Sequence, residues 1–587
     1  MVRALTWVLV GLVAYTVVIL ALRAQGRLPD YVRITGPITT VRTGRGRDLI
    51  DRLASPRRVW RAWGNLGVGV ALVVMGLSLV LVAIAGVDAI VNPTPTPLNE
   101  PRNVLAIPGV NEFLPLSVAP EILFGLALGL IVHEGGHGLF CRVEGISLKS
   151  LGLVFLTVLP VGAFAEPEEE ELLDADRGAQ IRMYAAGVTN NFAVAIVALL
   201  LLFGPVIGSV AVVDGVPVGG VVPGLPADRA GVGSGDVITA VDGQSVESTA
   251  DLRAALAAAE DPTVTVDRND GDTVTVQRSV VVTSAAAGGP ISVDDTVTSV
   301  NGTAVHTDAA FRSAVANRTV ATLGIEGGGS VTIPIGAYTV PTADGAFAAA
   351  GVTPGERFVI TSIDGERVGS SNDLLAALDR RSPDETITVA GYDSDGRRRS
   401  YEVTLGADDA GDAHLGVAVQ PGITGVVTDD FGIEPYPAGR FLELLGGSAP
   451  GDNGVPPLSF AGRLFLLLLL PFAGAAAGFG YNFAGFTGIA TNFFTVSGPL
   501  APLGDGVFLL ANVLFWTGWI NLVIGQFNCI PAFPLDGGHI FRVCTESVVS
   551  RLPVPGKRRI VVAAATTMTV FVLGALLAML FLPRLLT

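Results

Sequence analysis

The sequence predicts a polytopic α-helical membrane protein with about six to eight spans and α+β domains inserted between them. Of its 587 residues 50% are hydrophobic and 15% are charged, and the mean hydropathy is +0.56. This composition is too apolar for an ordinary soluble protein of this length. The apolar residues also form uncharged runs, and most of these runs reach the roughly 20 residues that cross a bilayer. The runs lie at 4–22, 66–87, 122–132, 183–213, 464–504, 506–535 and 560–583.

The N-terminal region, 1–117, is expected to contain accessory spans joined by an Arg-rich loop. We interpret the run at 4–22 as a retained anchor, because arginines follow it instead of a small-residue cleavage site. The arginines between 23 and 61 place the loop in the cytoplasm by the positive-inside rule. Counting spans from there puts 214–460 outside the cell and the basic cluster at 551–559 inside. The chain is therefore expected to be a multi-pass protein of the cell membrane.

The charge argues against nucleic-acid binding, and the cysteine positions argue against a disulfide-bonded external region. The formal net charge is −16 and the pI is about 4.8, so nucleic-acid binding is not expected. The three cysteines, Cys141, Cys529 and Cys544, all lie outside the region 214–460. That region consequently has no disulfide framework.

The region 214–422 contains three self-similar stretches. Each is read as a strand, a tight Asx-Gly turn, a second strand and a helix. The turns are Asp242-Gly243, Asn301-Gly302 and Asp364-Gly365. The first and third copies resemble the PDZ domains of bacterial and archaeal proteases, and the middle copy lacks their leading segment.

We expect PDZ-like domains at 214–284 and 338–422, a degenerate or partial repeat at 285–337, and a linker at 423–460. A PDZ domain binds an extended peptide or chain end by adding it to a sheet edge. The resemblance therefore implies peptide ligands, and a spacer or steric lid is the alternative.

The first half of a membrane core, 118–213, carries the motif His133-Glu134-Gly135-Gly136-His137 at the end of an apolar run. Histidines four residues apart share one helix face, so both can bind one metal with the intervening Glu beside it. Ionisable groups at membrane depth are costly and mark functional sites. The motif predicts metal binding at His133 and His137.

A third ligand is expected from the second half of the core, 461–587, where Asp536 ends the uncharged run at 506–535. Pro531 and Pro534 must interrupt any helix just before it. Irregular backbone at this depth is tolerated only around a cavity or a buried site. To bring Asp536 to the membrane depth of the histidines, the chain must cross an even number of times between 461 and 504. Two spans and a re-entrant hairpin both satisfy this requirement.

These residues together resemble the site-2 protease family of intramembrane zinc metalloproteases. The similarity rests on the His133–His137 motif, on Gly187 with Asn191, and on Asn528–Gly538 as N-x-x-P-x-x-P-x-D-G-G. Pro160–Phe164 and Arg182–Gly187 are similar to the branch that includes the animal enzymes. Val188 departs from the Pro that many relatives have at this position.

The resemblance implies one zinc ion per chain, held by His133, His137 and Asp536, and Glu134 as the catalytic base. It also implies oxyanion or substrate contacts at Asn191 and Asn528, whose amides could instead be structural. The substrates would be transmembrane segments of membrane-anchored proteins that another protease has already shortened.

Two alternatives remain at this point. A zinc protease of the prenyl-protein-processing type would also show the histidine motif, but it should use a Glu from a later helix as third ligand. A membrane receptor with a structural metal and peptide-binding external modules is the non-enzymatic alternative.

Overall fold

A computed structural model describes residues 2–586 apart from 30, 36–37, 94–102, 104–106, 112, 157–158, 409–410, 449–458 and 477–479. The described chain divides into two compact units. One unit comprises Met1–Val212 with Gly439–Thr587, and the other is the insertion Val213–Ala438. The segment 449–458 of the expected linker thus lies outside the described residues.

Helices dominate the first unit. In chain order the α-helices of the described residues in both units are α1 (Val2–Ala24), α2 (Gly44–Leu53), α3 (Arg57–Val91), α4 (Ala119–Glu144), α5 (Glu169–Asp174), α6 (Arg177–Leu201), α7 (Pro226–Arg229), α8 (Thr249–Ala258), α9 (Asp308–Val315), α10 (Ala346–Ala349), α11 (Ser371–Leu378), α12 (Ala438–Leu444), α13 (Phe460–Leu469), α14 (Ala473–Ala476), α15 (Gly506–Asn528), α16 (Asp536–Val549) and α17 (Lys557–Leu585).

Five helical segments in the described residues are long and apolar enough to cross a membrane. They are Arg57–Val91, Leu116–Glu144, Arg177–Ser209, Gly506–Asn528 and Lys557–Leu585. Shorter apolar helices cover Val13–Arg23 and Gly462–Phe472. The chain is thus a helical membrane protein with an inserted β-rich unit, and full-length helices account for five of the expected six to eight spans.

The described part of 461–504 contains no helix of membrane-spanning length, which disfavours two full spans there. After α13 and α14 the chain forms short 3-10 turns at Gly488–Phe493 and Gly498–Leu503. The intervening strand, Phe494–Val496, pairs with Val210–Val212 just beyond α6. The later part of the segment therefore lies beside the end of α6.

Local signals explain where the two central helices begin and end. Helix α4 has Pro120 in its first turn and stops at Gly145, whose φ of +84° is open to glycine. Helix α6 is capped by Asp176, whose carboxylate accepts the N–H groups of Gly178 and Ala179 at 2.9 and 3.2 Å.

Glycines allow α4, α6 and α15 to pack closely. A Cβ on Gly136 would lie 3.0 Å from the carbonyl oxygen of Ala186 in α6, and a Cβ on Gly125 would lie 3.0 Å from that of Trp516 in α15. A Cβ on Gly525 would meet the Phe192 ring at 2.8 Å. Small residues at membrane-helix contacts let backbones approach in this way.

A four-stranded antiparallel sheet also belongs to this unit, and the sequence did not predict it. Its strands run in the order β1 (Val32–Thr35), β2 (Ile38–Arg42), β3 (Leu148–Leu156) and β4 (Leu159–Pro167). The first two strands come from the Arg-rich segment that was expected to be a loop. Among the described residues, β4 is an edge of this sheet. The next strand along the chain, β5 (Val210–Val212), belongs to a different sheet.

The inserted unit contains three modules, each a six-stranded sheet among the described residues. Module A has β6 (Val216–Val221), β7 (Val237–Val241), β8 (Gln244–Ser245), β9 (Thr263–Arg268) and β10 (Thr273–Gln277). Module B has β11 (Val280–Ala285), β12 (Thr296–Val300), β13 (Thr303–Ala304), β14 (Val320–Ile325) and β15 (Gly329–Pro334). Module C has β16 (Ala337–Pro341), β17 (Phe358–Ile363), β18 (Glu366–Arg367), β19 (Thr386–Tyr392) and β20 (Arg398–Thr404). A hairpin, β21 (Gly406–Ala407) and β22 (Ala413–His414), precedes the last strands of the inserted unit, β23 (Val417–Val419), β24 (Val426–Asp429) and β25 (Ile433–Pro435). The final strand of the described chain, β26 (Phe494–Val496), lies in the first unit.

The modules are nested, because their last strands return in reverse order. Strand β23 pairs with β16 of module C, β24 then pairs with β11 of module B, and β25 pairs with β6 of module A. The expected boundaries are corrected accordingly. Part of the expected linker at 423–460 completes modules A and B, and the repeat at 285–337, expected to be partial, has the same strand set as its neighbours.

The predicted Asx-Gly turns are confirmed in all three modules. Asp242, Asn301 and Asp364 have φ values of 49°, 51° and 50°, and the glycine after each also has positive φ. Two successive positive φ values define the type I′ turn that suits a hairpin. A helix follows in each module (α8, α9 and α11), capped by Ser248, Thr307 and Ser370 respectively.

Candidate metal centre

The two motif histidines lie on one face of α4, with exposed fractions of 6% and 8%. The Nδ1 atom of His137 lies 2.8 Å from the carbonyl oxygen of Met183 in α6. A carbonyl can only accept, so Nδ1 carries the proton and Nε2 keeps its lone pair. The Nε2 atoms of His133 and His137 are 3.2 Å apart.

Asp536, the first residue of α16, completes the cluster. Its Oδ2 atom lies 3.1 Å from His133 Nε2 and 3.2 Å from His137 Nε2. The two glycines after it allow the tight approach of α16 to the preceding loop. A Cβ on Gly537 would lie 2.4 Å from the Cys529 carbonyl oxygen, and one on Gly538 would lie 2.7 Å from the Ala532 carbonyl carbon.

The geometry of these three atoms fits a tetrahedral metal ion. Zn–N and Zn–O bonds of about 2.0–2.1 Å at tetrahedral angles place ligand atoms about 3.3 Å apart. The observed separations are 3.1, 3.2 and 3.2 Å. Asp536 Oδ2 has no hydrogen-bond donor despite these short distances. A cation is the partner that satisfies a carboxylate oxygen and two imidazole nitrogens at once, so the residues fit a metal.

Gly187 of α6 closes one side of the cluster. A Cβ at this position would lie 2.6 Å from His137 Nε2 and 2.8 Å from His133 Cε1. The absence of a side chain therefore lets α6 pass directly against both imidazoles. Val188, which departs from the family pattern, is fully buried beside it.

Glu134 is not one of the three residues whose ligand atoms converge. Its Oε2 atom accepts the backbone N–H of Ala165 in β4 at 3.0 Å. One carboxylate oxygen of Glu134 is thus occupied by a main-chain donor of β4, next to the histidine motif in α4.

The two asparagines make bonds of a structural kind. Asn191 is fully buried; when its amide is oriented so that the nitrogen faces acceptors, it donates to the carbonyl oxygens of Gly187 and Gly129 at 3.1 and 3.3 Å and bridges α6 and α4. Asn528 donates from Nδ2 to the carbonyl oxygen of Ile524, one turn earlier in α15, at 3.0 Å. Neither asparagine is among the three residues that converge.

Sequence reasoning missed some of the supporting contacts. The Met183 carbonyl and the Ala165 N–H are main-chain groups, so no residue type announces them. His539 stacks on Tyr184 with ring centroids 4.6 Å apart. The Arg182–Gly187 segment, noted for its similarity, supplies both Met183 and Tyr184.

Comparison with known proteins adds an independent observation. The sequence profile of peptidase family M50 matches residues 121–574. A stretch of 195 residues is 24% identical to an uncharacterized protein of Methanocaldococcus jannaschii and covers 33% of this chain and 50% of that protein. A stretch of 168 residues is 26% identical to a protein of Clostridium perfringens, named provisionally as a zinc metalloprotease, and covers 25% of this chain and 49% of that protein.

The chain thus spans about half the length of the curated relatives that it matches. The profile match includes α4 with its two histidines, the inserted unit and Asp536. Apolar helices, a His-His-Asp cluster and this match agree with each other, and we conclude that the chain belongs to peptidase family M50, the site-2 protease family of membrane metalloproteases.

Proposed function

We propose that this protein is a zinc-dependent intramembrane endopeptidase that cleaves transmembrane segments of membrane-anchored proteins. The observation that carries the proposal is the position of the three ligand atoms. His133 and His137 lie in a helix of membrane-spanning length and hydropathy, and Asp536 Oδ2 lies 3.1 and 3.2 Å from their Nε2 atoms. One zinc ion per chain would be held by His133 Nε2, His137 Nε2 and Asp536 Oδ2.

Zinc in such a site acts as a Lewis acid on a carbonyl group and lowers the pKa of water to roughly 7. Glu134 is the base that takes a proton from the attacking water and returns it to the leaving amine. The Ala165 N–H holds Oε2, so Oε1 is the atom that accepts the proton. Met183 orients His137, and Gly187 leaves the imidazoles room to converge.

Strand β4 supports a way of presenting the scissile bond. The Ala165 N–H that binds Glu134 points away from β3, so the outer edge of β4 lies next to the catalytic carboxylate. A helical substrate must unwind before its peptide bonds are accessible. An unwound segment added to this edge would be extended, with its carbonyl groups beside Glu134 and the metal ligands.

The inserted modules provide a second candidate function, the binding of peptide ligands by PDZ-like domains outside the cell. A cavity of about 500 Å³ separates the Leu252–Leu256 face of α8 from β25, the edge strand of module A among the described residues. The Asp429 carboxylate accepts the N–H groups of Phe431 and Gly432 at 2.8 and 3.0 Å. Those amides are therefore occupied, and module A would take an extended internal segment in preference to a chain terminus.

The proposed activity is tested by comparing membrane proteomes of cells that carry the wild type or the Glu134→Gln variant. We expect short transmembrane stubs, already shortened outside by another protease, to accumulate in the variant. Purified Glu134→Gln should retain zinc while losing cleavage by a factor of roughly 10²–10⁴, the usual contribution of a general base. Unchanged stubs and unchanged biological activity would favour the receptor alternative.

A further inference from the structure

Glu121 is a buried carboxylate that the proposed mechanism does not use. It lies in the first turn of α4 and is only 7% exposed. Its Oε2 atom has no hydrogen-bond donor, and no described Lys, Arg or His forms an ion pair with it. A buried carboxylate oxygen without a donor is unfavourable, and a proton or a cation would satisfy it.

The same residue lines a cavity of about 470 Å³ within the membrane unit. The cavity is rich in oxygen atoms, and none of its described lining residues is Lys, Arg or His. It contains a second carboxylate, Asp505, which caps no helix N–H. The lining residues are Glu121, Phe486, Thr487, Gly488, Thr491, Asn492, Phe494, Asp505, Phe508, Leu509 and Asn512.

Three separate segments meet at this cavity. Glu121 lies in the first turn of α4, Asp505 immediately precedes α15, and the third segment is 486–494. Asn512 holds that turn in place, because its side-chain amide both accepts from the Phe486 N–H at 2.7 Å and donates to the Phe486 carbonyl at 3.0 Å. Thr491 donates its hydroxyl to the Gly488 carbonyl, so its oxygen retains lone pairs for a further partner.

Hard divalent cations prefer this chemistry. Ca²⁺ takes roughly six to eight oxygen ligands from carboxylates, carbonyls, hydroxyls and water in flexible arrangements. Mg²⁺ demands a stricter octahedron and keeps more of its water. A roomy cavity with two carboxylates on different segments suits Ca²⁺ better.

We propose that this cavity is a second metal site, which binds one Ca²⁺-type divalent cation through Glu121 and Asp505. It is distinct from the His133 cluster, because twelve residues of α-helix separate Glu121 from His133 by about 18 Å. The bound cation neutralises Glu121 and links the start of α4 to the start of α15. The cation would therefore stabilise the N-terminal end of α4, the helix that carries both histidines.

The test measures ⁴⁵Ca²⁺ binding to the full-length, zinc-loaded protein in detergent by equilibrium dialysis. Extracellular Ca²⁺ sites bind with dissociation constants of roughly 10⁻⁴–10⁻³ M, so the titration extends to about 10 mM. The acidic inserted unit will also bind some Ca²⁺ nonspecifically, but this background binding is the same in the wild type and the variants. Wild type should bind about one Ca²⁺ per chain more than Glu121→Gln, and Asp505→Asn should bind at this site about tenfold more weakly.

Asp88→Asn is the matched control. Asp88 is a carboxylate near the end of α3 that lies outside the cavity and accepts a hydrogen bond from Asn92. This variant should bind Ca²⁺ like the wild type. Thermal unfolding without Ca²⁺ establishes that each variant is folded, and added Ca²⁺ should raise the melting temperature of wild type more than that of Glu121→Gln. Equal Ca²⁺ binding by wild type, Glu121→Gln and Asp505→Asn would overturn the proposal, and so would a wild type without saturable binding up to 10 mM.

Discussion

Gly187→Ala offers a sharp test of the metal centre, because it changes one methyl group and none of the proposed ligands. Gly187 lies inside α6 with ordinary helical backbone, so alanine should stabilise the helix itself by about 1 kcal/mol. The added Cβ would nevertheless lie 2.6 Å from His137 Nε2 and 2.9 Å from His133 Nδ1. Helix propensity and metal geometry therefore predict opposite effects.

The size of the clash decides between them. An atom at 2.6 Å must retreat by about 0.8 Å to reach the shortest ordinary van der Waals separation of 3.4 Å. Metal–ligand distances tolerate only about 0.2 Å. The imidazole therefore cannot both clear the methyl group and keep its place in the triangle of ligand atoms. We expect zinc affinity to fall by about 10–100-fold, as for other changes next to a ligand, with cleavage falling in parallel.

The assay measures zinc per chain by mass spectrometry after dialysis against a chelator, alongside cleavage of a transmembrane substrate. Gly135→Ala is the matched control for zinc content, because it lies between the histidines on α4 and its Cβ would meet nothing within 4 Å. That variant should hold zinc like the wild type. Wild-type zinc content and turnover in Gly187→Ala would refute the geometry described here.

Three further outcomes are expected. Asp536→Ala should lower zinc affinity at least tenfold, because it removes one of three ligands. Dialysis against graded chelator concentrations measures this affinity. Undiminished zinc occupancy in the variant would show that Asp536 is not a ligand. Deletion of 213–438 should leave a folded membrane unit with relaxed substrate selectivity. Deletion of 214–422 instead leaves Val426–Asp429 and Ile433–Pro435 without the strands they pair with, and this protein should be less stable. Equal thermal stability of the two deletion variants would contradict the nested arrangement. Asp429→Ala should free the Phe431 and Gly432 amides, so a peptide with a free C-terminal carboxylate should bind about tenfold more tightly relative to the same peptide with a C-terminal amide. Fluorescence anisotropy on the full-length protein measures this ratio of affinities. An unchanged ratio would argue against the inference that Asp429 excludes chain termini.

Much of the candidate site could be predicted from the sequence because its signals are local. The spacing of His133 and His137 places both on one helix face whatever surrounds them. Pro531, Pro534 and the glycines after Asp536 mark irregular backbone that ends in a helix start. Their meeting point could be argued only from resemblance and from membrane depth, and the 3.1–3.2 Å triangle is a tertiary fact.

Other features left no local signal. The Ala165 N–H binds Glu134 through the main chain, and any residue except proline offers that group. The strands β1 and β2 lie in an Arg-rich segment, where the charge pattern indicated a loop. The pairing of β2 with β3 depends on a partner more than 100 residues away in the chain.

The sequence by itself determined the membrane-length apolar runs, the histidine pair, and the three hairpins with Asx-Gly turns, because each depends on neighbouring residues and on the fixed periods of helix and strand. Only the tertiary structure decided which late strand completes which module, that 461–504 contains no full-length helix in its described part, and that Glu121 and Asp505 share a cavity. Those outcomes depend on which edges and faces remain unpaired once the local elements have formed, and no short window of residues records that.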